Sequence, residues 1–156
     1  MFVIKDDNLP SNEWRLGRIF DTAAIIDLCT STSSMDASVA SAYPLPTTNA
    51  GDEGIRTATT RSKFDEAIKL EVVLKIAPKV WIRTPIRALS ESVVEKFWEL
   101  PLADERFNRP ATISLILGDD VYPKAIQPGF HMVDEGLPVA QKTVFGWILS
   151  GTCTQV

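Results

Sequence analysis

Ala23-Ala24-Ile25-Ile26-Asp27-Leu28-Cys29-Thr30-Ser31 is the stretch from which the rest of the chain is read. An apolar run delivers a single carboxylate into a small, hydroxyl-rich turn. This is the local pattern of a buried strand that presents an acid at the floor of a cleft. Taken alone the pattern is weak, since an Asp after a strand equally well caps a turn with its own side chain. A second stretch strengthens it: Ile113-Ser114-Leu115-Ile116-Leu117-Gly118-Asp119-Asp120. There an alternating apolar strand closes on glycine, which lets another backbone approach closely.

The bulk composition sets the frame. The 156 residues suit one domain with a real core, and 45% hydrophobic with 23% charged residues argues against disorder. A formal charge of -4 gives no electrostatic reason to expect nucleic acid. No apolar run approaches the roughly 20 residues of a membrane span, and Met1 to Asp7 lacks the pattern of a signal peptide. The two cysteines, Cys29 and Cys153, read as reduced thiols, which makes an intracellular, cytoplasmic location the expectation.

Along the chain, residues 1–20 read as two short extended pieces around an Asp6 to Asn12 turn. Ser34 to Ala42 predicts a short helix capped by Ser34 or Asp36 and stopped by Pro44. Residues 47–63, with Gly51 and Gly54 and then a threonine-rich run, predict a hairpin. Leu70, Val72, Leu74 and Ile76 alternate as in a half-buried strand. Val80–Ile82 and Ile86–Leu89 are expected strands on either side of Pro85. Val93, Val94, Phe97 and Trp98 share one helical face, with Ser92 and Glu95 as a capping box. Trp98 and Trp147 are expected in the core. Thr112 to Leu117 predicts a strand, Val121 to Pro138 a broken connection, and Thr143 to Leu149 a closing strand. The ten prolines fit many short strands better than long helices.

Three segments together resemble a known family. Leu102-Ala103-Asp104-Glu105-Arg106-Phe107, the Ile113 to Pro123 stretch, and Pro138 to Gly151 (ending Phe145-Gly146-Trp147-Ile148-Leu149-Ser150-Gly151) are similar to the protease region of Bel/Pao-type LTR retrotransposon polyproteins. The resemblance runs from about residue 22 to 151. It sets the domain at 21–151, with 152–156 as a tail. Residues 1–20, through Lys5-Asp6-Asp7-Asn8-Leu9-Pro10 and Trp14-Arg15-Leu16-Gly17-Arg18-Ile19, resemble the start of the post-integrase domain of the same elements. No activity is assigned to them.

The resemblance implies a mainly β, retropepsin-like closed barrel with one or two short helices. It implies an aspartic endopeptidase in which a second copy of the chain completes the site. Asp27 takes the catalytic place, in an active-site loop with Leu28, Cys29 and Thr30. Gly51, Asp52, Glu53 and Gly54 form the tip of a flap over an extended peptide or polyprotein substrate. Ile116, Leu117 and Gly118 support the loop from behind, and Asp119 and Asp120 cap the following turn. No cofactor, metal, nucleic acid or membrane partner is implied.

Two positions depart from the family triplet of Asp, Ser or Thr, and Gly. Leu28 stands where a hydroxyl is needed and Cys29 stands where glycine is needed. Paired carboxylates share one proton because like charges at that distance cannot both ionise; one then activates water while the other protonates the carbonyl. Leu28 removes a hydrogen bond across the two-fold axis, and a Cβ at Cys29 crowds the loop backbone. Displacement near 1 Å can cost about a hundredfold in rate. The alternative is therefore an inactive retropepsin-like module that dimerises or binds peptide, or a remnant.

Other constellations carry less. The only histidine, His131, has no spacing that links it to Cys29, so neither a thiol nucleophile nor a zinc cluster is read. Gly118-Asp119-Asp120 resembles a polymerase metal motif but has no partner carboxylate motif. Arg56, Arg61 and Lys63 read as a solvated basic face.

Overall fold

The computed structural model describes residues 2–5, 23–26, 30–41, 54–62, 64–65, 67–79, 82–85, 87–151 and 153. Strands dominate, with three short helices among these residues. One sheet holds β1 (Phe2–Lys5), β2 (Ala23–Ile26), β3 (Ser34–Asp36), β4 (Ile55–Ser62), β5 (Lys69–Ala77), β6 (Ile82–Thr84) and β7 (Ala111–Leu117). Its order is β1-β4-β5-β3-β7-β2, with β6 also paired to β7. A second sheet of β8 (Ile126–Met132), β9 (Val139–Thr143) and β10 (Gly146–Ser150) has the order β10-β9-β8. The fold is mainly β with few short helices, and among the described strands no pairing closes either sheet into a barrel.

The alternation in β5 has the consequence that period-2 patterning requires. Val72 and Leu74 are buried while Val73 between them is 52% exposed. β4 pairs β5 antiparallel from Ile55↔Lys75 to Arg61↔Lys69, and β1 extends that ribbon through Phe2↔Ser62 to Lys5↔Thr59. Residues 55–62 thus form one strand paired with β5, while residues 47–53 and 63 of the hairpin expected within 47–63 lie outside the described set. Arg61, read as part of a solvated face, is buried.

Several local expectations change. The Ser34 to Ala42 helix divides: Ser34–Asp36 is extended in β3, and only Ala37–Ala40 is helical (α1). Asp36 caps it by accepting from the Ser38 backbone N–H at 2.9 Å. Residues 87–89 form no strand, whereas Ile82–Thr84 does. The second helix, α2 (Glu91–Glu95), has Ser90 at its N-cap and no side-chain cap bond, so the capping box is not made. Because regular helix stops after Glu95, the apolar stripe loses its phase. Phe97 still reaches the core at 0% exposure, but Trp98 turns out to 74% and is no core aromatic.

The expected connection from Val121 to Pro138 contains the third helix, α3 (Tyr122–Ala125), and the strand β8. Pro128 falls in the irregular part of β8, where an edge strand tolerates a missing N–H. Of the expected strand Thr143 to Leu149, the part from Gly146 is β10, while Thr143 ends β9 and residues 144–145 turn the chain between them. The Thr143 hydroxyl accepts from the Phe145 N–H at 3.1 Å and donates to the Gly146 carbonyl at 2.6 Å. Gly146 has φ +114, and a Cβ there would stand 2.9 Å from the Ala103 N and the Pro101 O.

Two apolar clusters hold these elements. The first gathers Met35, Ala58, Val72, Leu74, Leu115 and Leu117 of the first sheet with Ala103, Val121, Ala125 and Phe145, and Ile148 of β10 packs against it. The second packs Val93, Phe97 and Leu102 against Leu137 and Ala140, with Trp147 and Cys153 at its margin. Phe97 and Phe107 meet edge to face with ring centroids 6.0 Å apart. Among the described residues no helix is long and apolar enough to cross a membrane.

Candidate active site

The central feature is the position of β7. On one side it pairs parallel with β2, Ile25 opposite Ile116 and Ile26 opposite Leu117. On the other it pairs antiparallel with β3, Ser34 opposite Ile116 and Met35 opposite Leu115. Ile26 and Ser34 therefore lie on opposite edges of β7, and the described residues 30–33 cross its Leu117 end. The Ile and Leu residues of β2 and β7 favour this arrangement, since a strand covered on both faces reads as a near-continuous apolar run. Ile113, Leu115 and Leu117 are accordingly buried.

Gly118 sits where that crossing passes. A Cβ at Gly118 would overlap the Thr30 carbonyl oxygen and stand 3.1 Å from the Thr32 carbonyl carbon and oxygen. Only a residue without a side chain fits so close to three backbone atoms. The Asp119 N–H donates to the Thr30 carbonyl at 2.8 Å, fastening the crossing to the turn that follows β7. The Gly118 carbonyl then accepts from the N–H groups of Val121 at 3.0 Å and Tyr122 at 3.1 Å, which starts α3.

Ser33 joins the two segments, and the sequence reading passed over it. It is wholly buried. Its hydroxyl donates to the Asp120 carboxylate at 2.7 Å and accepts from the Gly118 N–H at 3.0 Å. Its own N–H points to the second Asp120 oxygen at 3.4 Å, and its carbonyl accepts from the Lys75 N–H at 2.9 Å. Asp120 was expected to cap the turn after it. The N-cap of α3 is Val121 with no side-chain bond, and the Asp120 carboxylate reaches back to Ser33 instead. The one available signal was its place in the run of five hydroxyl residues Thr30 to Ser34, which does not by itself indicate burial.

Of the residues singled out from sequence, Thr30, Ile116, Leu117 and Gly118 are brought together at this crossing. Asp27, Leu28 and Cys29 lie outside the described residues, as do Gly51, Asp52 and Glu53. Gly54 precedes β4, and its carbonyl accepts from the Ile76 N–H at 2.8 Å. His131 is exposed on β8, opposite Ala140 of β9. Among the described residues no group of three His, Cys, Asp or Glu side chains could hold a metal ion. Comparison with protein-family models, curated proteins and solved structures returns no match for this chain.

Proposed function

We propose that this chain is a retropepsin-like aspartic endopeptidase domain of retrotransposon origin, acting as a homodimer on extended peptide or polyprotein substrates. Asp27 from each copy forms the carboxylate pair that activates water, and Leu28 and Cys29 slow the turnover. The observation that supports this reading is the crossing itself. Ile26, the residue before Asp27 in the sequence, pairs with Leu117 in the parallel β2–β7 ladder, and Thr30 and Thr32 pack against Gly118. A carboxylate that must meet its twin across a two-fold axis needs a loop fixed from behind in this way.

The test is a peptide-library cleavage assay at mildly acid pH, with Asp27→Asn and pepstatin-type inhibition as controls. Cleavage lost in the variant supports the enzyme; cleavage unchanged by it overturns the assignment of Asp27. Sedimentation comes first, because a strict monomer holds one of the two required acids. The sequence at Leu28 and Cys29 favours a second reading, a dimerising or peptide-binding module without chemistry. A folded dimer that binds library peptides and cleaves none selects that reading.

A further inference from the structure

We propose that Asp120 is a positioning residue: acting through Ser33, its carboxylate clamps the chain that follows Asp27 against the turn after β7. The catalytic consequence rests on the peptidase reading above, whereas the clamp itself does not. The argument starts from hydrogen-bond inventory. A serine hydroxyl has one donor and two acceptor sites. At Ser33 the Gly118 N–H, which can only donate, takes an acceptor site at 3.0 Å. The Ser33 proton is therefore left for Asp120 Oδ1 at 2.7 Å, and position 120 must present an acceptor.

The second carboxylate oxygen faces the Ser33 N–H at 3.4 Å, so both groups of Asp120 nearest Ser33 must be acceptors. A carboxylate meets that demand. An amide meets it on one atom and sets a donor against a donor on the other. The lengths also favour a strong contact, since a hydroxyl bonded to a carboxylate is shorter and stronger than a neutral pair. Ser33 is moreover held from the far side by the Lys75 N–H at 2.9 Å. The clamp thus ties three strands: β3 through Ser33, β5 through Lys75 and the end of β7 through Gly118. The Thr30 carbonyl, accepting from Asp119, is the second fastening of the same crossing.

A local clamp and a bond that merely adds overall stability make different predictions. Amide hydrogen exchange on the full chain separates them, comparing wild type with Asp120→Asn and Asp120→Ala. The expected result is exchange accelerated about tenfold or more at Ser33, Gly118 and Asp119 in Asp120→Ala, with Asp120→Asn intermediate and the amides of β4, and of β5 apart from Lys75, little changed. Equal acceleration at every amide, or none at those three, overturns the clamp. The second arm is peptide cleavage. The positioning role predicts that kcat falls about tenfold in Asp120→Ala while KM stays within about twofold. A rise in KM with kcat unchanged overturns that role. A wild-type chain that cleaves nothing removes the peptidase reading, and the exchange pattern still upholds or overturns the clamp.

Discussion

Replacing Gly118 with alanine adds one carbon at the point where the chain crosses the end of β7. That carbon would overlap the Thr30 carbonyl oxygen and lie 3.1 Å from the Thr32 carbonyl carbon and oxygen. All three are backbone atoms, so no flexible side chain can swing away. Relief requires the Thr30 to Thr32 backbone to retreat. That movement stretches the bonds Asp119 N–H to Thr30 O at 2.8 Å and Gly118 N–H to Ser33 Oγ at 3.0 Å. Overpacking costs about 1–3 kcal/mol, and each weakened hydrogen bond adds about 0.5–1.5 kcal/mol. The expected loss is about 2–6 kcal/mol, a large share of the roughly 5–15 kcal/mol that holds a domain together. Urea unfolding reads this directly, as a lower midpoint with an unchanged slope. A loss below about 0.5 kcal/mol would mean that the crossing does not press on Gly118, and the proposed backing of the loop would go with it.

Other consequences follow from the same structure. Phe97→Ala should cost about 3–5 kcal/mol by emptying the second core, whereas Trp98→Ala next to it should stay within about 0.5 kcal/mol, both by chemical denaturation. Asp36→Ala removes the acceptor for the Ser38 N–H and should cost about 1 kcal/mol by the same measurement, with Asp36→Asn or Asp36→Ser largely sparing it. For activity, Leu28→Thr combined with Cys29→Gly should raise kcat by about a hundredfold in the cleavage assay if those two residues limit turnover. A double variant no faster than wild type counts against that reason for slow chemistry.

Where the expectations failed, the failures have specific causes. Val144 and Phe145 continue an apolar pattern, so Thr143 to Leu149 looks like one strand. The turn depends on what the Thr143 hydroxyl finds across the bend, namely the Phe145 N–H and the Gly146 carbonyl. The helical period that would bury Trp98 continues past Glu95, where the helix ends. Pro128 and Gly129 argued against a strand, and the strand survives there because β8 lies at a sheet edge. Asp120 illustrates the general difficulty. Its short side chain is well suited to a local cap, and its partner stands 87 positions away in the chain.

What the residues decided unaided was local: the alternation that buries Val72 and Leu74, the Asp36 cap, and the need for a residue without a side chain after Leu117. Each rests on a period of two or on the shape of one side chain, and such properties are carried by neighbours in the chain. Tertiary structure alone decided that β7 lies between β2 and β3, and that a buried serine bridges two distant segments. Strand order and long-range hydrogen bonds depend on which surfaces meet once the chain has collapsed, and no local pattern carries that information.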